Sequence, residues 1–135
     1  MRPSRELIGI VTPGRGLGAD RMARSDVRDQ LLQRLGFDTV PGTLNVRLPG
    51  PFDPGPTSRY LAAEEISPAW EAETGQAGYF LVPVIVAGRY RGIALQADEP
   101  GYPPDQVELI CEVHLRSALD LNDGDSIVLS VPPAE

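Results

Sequence analysis

Two apolar periods alternate along the chain and divide it into elements. Glu6 to Val11 is short, apolar and β-branched, and predicts a strand. From Ser25 to Leu35 the period lengthens: Val27, Leu31, Leu32 and Leu35 fall on one helical face. Ser25 suits the N-cap, Asp26 and Asp29 suit the positive end, and Gly36 stands just past the last turn. This predicts the main helix, over about 25–35. Pro41 and Gly42 then mark a turn, after which Leu44, Val46 and Leu48 alternate at a strand period. The alternation puts Thr43, Asn45 and Arg47 together on the opposite face.

The second half reads as further strands. Tyr79–Val86 and Tyr90–Gln96 flank Ala87-Gly88-Arg89 and predict a β-hairpin, with Pro83 marking an edge or bulge. Gln106–Glu112 and Ser126–Val131 complete the strands, separated by a helical turn near 115–119 and a tight turn at Asn122–Asp125. Pro49–Pro56 is irregular. Residues 57–78 show no period, with a short strand near Tyr60-Leu61 and Trp70 as a packing residue. Many short strands and one good helix predict a small, mainly β barrel in one domain, 1–135.

Composition narrows the function classes. The net charge is −7, which argues against general nucleic-acid binding. There is no lysine, and Arg2, Arg5, Arg15, Arg21, Arg24, Arg28 and Arg34 crowd the first quarter, where they suit a small anionic ligand. A single histidine, His114, removes zinc clusters and Ser-His-Asp triads. Cys111, the only cysteine, lies in an apolar strand and reads as a buried, inert thiol. No apolar run approaches the roughly 20 residues that span a bilayer. Met1–Glu6 lacks the apolar core of a signal peptide, so a soluble, cytoplasmic protein without a membrane partner is expected.

Two stretches carry candidate chemistry. Gly14, Gly16 and Gly18 form a loop whose backbone N–H groups suit an anion, although the spacing is neither a P-loop nor a Rossmann fingerprint. A flexible hairpin loop is the alternative. Thr43 and Asn45 present neutral oxygens suited to Mg²⁺ whose other ligands are phosphate and water; a solvated strand face is the alternative.

Leu35-Gly36-Phe37, Pro41-Gly42-Thr43-Leu44-Asn45, Tyr102-Pro103 with Val107-Glu108-Leu109-Ile110, Leu115-Arg116 and Leu121-Asn122-Asp123-Gly124-Asp125 occur in one order and spacing. In these the chain resembles the archaeal-type CTP-dependent riboflavin kinases, from Gly9 to about Leu129. The resemblance implies a compact six-stranded cradle-loop barrel that transfers the γ-phosphoryl group of CTP to the riboflavin 5′-hydroxyl, giving FMN and CDP. It implies Mg²⁺ on Thr43 and Asn45. It implies nucleotide contacts from Gly16, Leu17, Gly18, Ala19, Asp20, Arg21, Met22 and Arg28, and from Val113, His114, Leu115 and Arg116 near the cytosine. Glu108 matches a flavin-side acid and is the candidate catalytic group; Pro100 falls at a flavin-contact position.

Two departures stand out. Asp20 replaces a loop glycine and would repel triphosphate unless Arg21 or Arg24 neutralises it. Glu99 and Pro100 replace an Arg-Thr pair, removing a cation and a hydroxyl beside the flavin. A different acceptor or nucleotide, and a non-catalytic flavin- or nucleotide-binding module, are the competing readings. Oligomeric state is open.

Overall fold

The computed structural model describes residues 5–13, 29–33, 36 and 43–132. In chain order the elements are β1 (Arg5–Thr12), helical residues 29–33 (α1), β2 (Leu44–Arg47), β3 (Arg59–Ala62), α2 (Ala63–Ile66), α3 (Trp70–Thr74), β4 (Gly78–Val86), β5 (Tyr90–Asp98), β6 (Gln106–Cys111), α4 (Leu115–Ala118) and β7 (Ser126–Val131). All pairings are antiparallel. The sheet runs β3-β4-β5-β6-β2-β1-β7, and β7 returns to β4, closing a six-stranded barrel. The short β3 stays outside the ring.

The period-two pattern builds the interior. Leu44, Val46 and Leu48 are buried with Val82, Val84, Val86, Val107, Leu109, Ile127 and Leu129 in one cluster. Each such side chain contributes about 1.5–3 kcal/mol on burial. Leu115 of α4 joins this cluster from one barrel end, and Phe52 joins it from the 49–56 loop. Phe52 is held from outside by the Arg5 guanidinium, 5.6 Å from its ring centroid and bonded to the Asp53 carbonyl at 2.7 Å.

Closure depends on β4 having two partners along one edge. Gly78–Leu81 pair with β3, Ile85 and Val86 pair with β7, and neither register covers 82–84. Pro83 sits in that gap. A residue without a backbone N–H fits where the edge changes partner, in line with the edge or bulge expected there.

A second apolar cluster covers the outer face of β4, β5 and β6. It contains Leu31, Leu61, Ile66, Trp70, Tyr79, Leu81, Ile93, Leu95 and Ile110. Trp70 is fully buried, and its indole N–H donates to Gln76 Oε1 at 3.2 Å. Trp70 is thus a packing residue, as its sequence setting implied.

The structure also differs from the sequence pattern. Residues 57–78, expected to lack helices, hold α2 and α3. Ala63, Ile66 and Trp70 bury a helical face, but Ser67-Pro68 interrupts it and hides the period. Helical residues 29–33 and the left-handed Gly36 (φ 77°) agree with the expected helix and its stop, with the Gly36 N–H bonded to the Leu32 carbonyl at 2.9 Å. Leu31 is buried, whereas Leu32, assigned to the same apolar face, is 47% exposed. Val27 and Leu35 lie outside the described residues. Among the described residues no helix is long and apolar enough to cross a membrane.

Candidate functional site

Side chains directly opposed in a ladder share a face, and the registers build one row across the outside of the barrel. Thr12 stands across from Asn45, Asn45 from Glu108, and Glu108 from Leu95. Thr43 lies on the same side of its segment as Asn45. The Asn45 amide is oriented by Gln106, whose Nε2 donates to Asn45 Oδ1 at 3.2 Å. Asn45 therefore stands beside Glu108, the acid that the family resemblance marks over sixty residues later in the chain. Among the described residues no group of three His, Cys, Asp or Glu gathers that could hold a metal. A cation on this row would be met by neutral oxygens and Glu108.

The registers also sort the flanking segments. Thr12 ends β1 beside the beginning of β2, and Cys111 ends β6 at that same barrel end. β7 begins there too, with Ser126 across from Ile10. The Asn122–Asp125 turn is stitched to β1: the Val11 N–H donates to the Asp125 carbonyl and the Gly124 N–H to the Val11 carbonyl, each at 2.8 Å. Asp125 Oδ2 accepts from the Asn122 N–H at 2.8 Å and shapes the turn. Arg116 is tied to it through a 2.7 Å ion pair with Asp123. His114 precedes α4, exposed, with Nδ1 2.9 Å from Ser117 Oγ. Val113, half-buried, packs on the barrel core with Leu115. Val113–Arg116 and the exit of β1 toward the glycine-rich segment thus occupy one end. Gly16, Leu17, Gly18, Ala19, Asp20, Arg21, Met22 and Arg28 lie outside the described residues.

The opposite end carries the 99–105 segment. Pro100 and Gly101 (φ 82°) occupy the two central positions of a turn closed by Tyr102 N–H to the Glu99 carbonyl at 3.3 Å. Proline then a left-handed glycine is the type II arrangement. Pro100 therefore has a backbone task in that turn. Leu48 N–H bonds to the Asp105 carbonyl at 2.7 Å and Phe52 N–H to the Pro104 carbonyl at 2.8 Å. Gln96 Nε2 bonds to the Pro104 and Gln106 carbonyls. The segment is pinned from both sides.

Thr12 and Gln106 are site neighbours that periodicity did not single out as chemical residues. The strand pattern marks Gln106 and Glu108 as sharing a face, but only the register places them opposite Arg47 and Asn45. Cys111 has the expected character. Its thiol is buried, donates to the Arg91 carbonyl at 3.1 Å, and is pushed up in pKa chiefly by burial.

Comparison with known proteins adds independent findings. A family model labelled CTP-dep_RFKase, described as "Domain of unknown function DUF120", matches residues 11–131. A riboflavin kinase of Methanocella arvoryzae is 34% identical over 124 residues, 91% of this chain and 55% of the relative. One from Methanococcoides burtonii is 35% identical over 129 residues, 93% of this chain and 56% of the relative. The chain spans about half the length of these two. A riboflavin kinase of Methanothermobacter thermautotrophicus is 32% identical over 122 residues, 90% of this chain and 95% of the relative.

Proposed function

Since the chain belongs to the CTP-dep_RFKase family, we propose that it is a riboflavin kinase with CTP as phosphoryl donor and Mg²⁺ as its metal. The observation that carries this reading is the direct opposition of Asn45 and Glu108 across the β2–β6 ladder. It joins a neutral-oxygen donor to a carboxylate on one face, between a loop-bearing end suited to nucleotide and a pinned turn suited to the acceptor.

In the proposed reaction the riboflavin 5′-oxygen forms a bond to the γ-phosphorus of CTP. The bond from that phosphorus to the bridging oxygen breaks, and CDP leaves with the electron pair. Phosphoryl transfer of this kind rests on alignment and charge neutralisation. Thr43 and Asn45 would hold Mg²⁺, which when bound neutralises phosphate charge. Gln106 fixes the rotamer of Asn45, an outer contact of the kind that sharpens a metal site. Glu108 orients the 5′-hydroxyl and accepts its proton. Val113–Arg116 contact the nucleotide base. The backbone of 16–22, with Arg28, contacts its phosphates, Arg21 or Arg24 offsetting Asp20.

The test is direct. Purified protein is incubated with riboflavin, Mg²⁺ and each of the four nucleoside triphosphates, and FMN is followed by chromatography. FMN formation with CTP above the other three is expected. More FMN with another nucleotide than with CTP overturns the donor assignment. No FMN with any of them overturns the kinase reading, and flavin binding without turnover would mark a binding module instead.

A further inference from the structure

The outer face of β2 carries a further polar residue, Arg47, two positions beyond Asn45 and exposed. Alternate residues of a strand share a face and stand roughly 7 Å apart. An extended arginine side chain spans that distance, so the guanidinium can reach a group bound over Asn45 and Glu108. The ladder partners of Arg47 are Ile10 on β1 and Gln106 on β6. The Ile10 side chain offers no acceptor, and Gln106 directs its amide diagonally to Asn45.

The other described arginines are engaged. Arg5 bonds to the Asp53 carbonyl and covers Phe52, Arg89 lies over Tyr90, Arg91 pairs with Glu112, and Arg116 pairs with Asp123. Arg59 has an interaction of its own as well. Among the described residues, Arg47 is the arginine with no carboxylate, carbonyl or ring as partner, in a chain of net charge −7. It is also the one cation that the described residues place on this face. Thr12, Thr43, Asn45 and Gln106 are neutral, and Glu108, diagonally across the ladder from Arg47, is acidic.

We infer that Arg47 holds the phosphoryl group as it passes from nucleotide to flavin, and holds it afterwards as the phosphate of FMN. A phosphoryl group brought beside Glu108 meets a like charge, and a guanidinium on the diagonal offsets that repulsion. The planar guanidinium presents a pair of N–H groups that match two phosphate oxygens. With no acceptor already in place, Arg47 breaks no existing protein contact to make this one. The inference rests on riboflavin being phosphorylated at this face. It adds a preference between the two flavins: Arg47 favours the product, which carries the phosphate, over the substrate, which does not.

The test titrates riboflavin and FMN by fluorescence into the full chain and into Arg47→Gln and Arg47→Lys, without nucleotide or metal. The two flavins differ by the phosphate alone. The unsubstituted protein should bind FMN more tightly than riboflavin, and the difference should shrink as salt is raised. Arg47→Gln should weaken FMN binding about tenfold or more and leave riboflavin binding within about twofold. Arg47→Lys keeps the charge without the fork and should fall between the two. Both variants should melt with the unsubstituted protein, because Arg47 is exposed. Equal losses for both flavins would place Arg47 on the part they share and overturn the inference, as would an unchanged preference for FMN. An unsubstituted protein that binds riboflavin as tightly as FMN overturns it too, and leaves the riboflavin reading standing. Failure to bind either flavin overturns that reading, and this inference with it.

Discussion

Asn45 and Glu108 face each other across the β2–β6 ladder, and Gln106, two residues before Glu108, reaches over to hold the Asn45 amide at 3.2 Å. One strand thus supplies both the acid and the group that orients the neutral oxygen opposite it. If that oxygen holds Mg²⁺, Asn45→Ala should reduce FMN formation by about 10- to 100-fold, with the Mg²⁺ concentration at half-maximal rate raised. The melting temperature should change little, since Asn45 is only half-buried. A rate that falls without any change in Mg²⁺ dependence would count against the assignment.

Glu108→Gln keeps the size of the side chain and removes its ability to accept a proton. A loss of about 10²–10⁴ in kcat is expected, with a much smaller change in riboflavin KM. The opposite split, a raised KM at constant kcat, would leave Glu108 as a binding group only.

Gly9 of β1 packs directly against β2. A Cβ there would collide with Val46 Cγ1 and press on the Arg47 carbonyl and Leu48 Cδ2. Gly9→Ala should therefore cost about 1–3 kcal/mol in urea unfolding. Part of that should be recovered in a Gly9→Ala, Val46→Ala pair, measured against Val46→Ala alone. Strict additivity would show that the clash is relieved elsewhere.

Ala87 has φ 54° and Gly88 has φ 70°, and the Arg89 N–H closes the turn on the Val86 carbonyl at 3.0 Å. Two left-handed central residues make the hairpin turn that matches strand twist. Alanine pays for that conformation where glycine does not. Ala87→Gly should raise unfolding free energy by about 0.5–1 kcal/mol, read from denaturant midpoints. Ala87→Val should lower it.

Tyr60 donates its hydroxyl to Asp98 Oδ2 at 2.7 Å, and that bond, more than burial, pushes its phenol up to about 12. A raised folded-state value means that the neutral phenol is the stabilising form. Its contribution is complete below the unfolded value near 10 and is lost as pH climbs through about 12. Since the pair is exposed, Tyr60→Phe should lower the melting temperature by less than about 4 °C at pH 8. The gap between the two proteins should narrow above pH 10; a gap that widens there would contradict the bond.

Local pattern determined a good deal. Alternation at Leu44, Val46 and Leu48 settles which side of β2 is buried, because successive strand side chains must point to opposite faces. The hairpin at Ala87-Gly88, the stop at Gly36 and the turn at Asn122–Asp125 follow from backbone preferences confined to a few residues. Pro83 announces an interrupted edge, because it lacks the donor that a ladder needs. Even Thr43 and Asn45 are visible as a polar pair on one face. Everything that makes that face a site depends on residues far away in the chain. Its partner Glu108, the Gln106 that orients Asn45, and Thr12 alongside come together only through register and barrel closure. Register is set by long-range packing of the interior, and a one-residue slip would turn Glu108 inward and Leu109 outward. The helices over 63–74 belong to the same class: their apolar residues become a face only once the outer surface of β4 and β5 is there to cover.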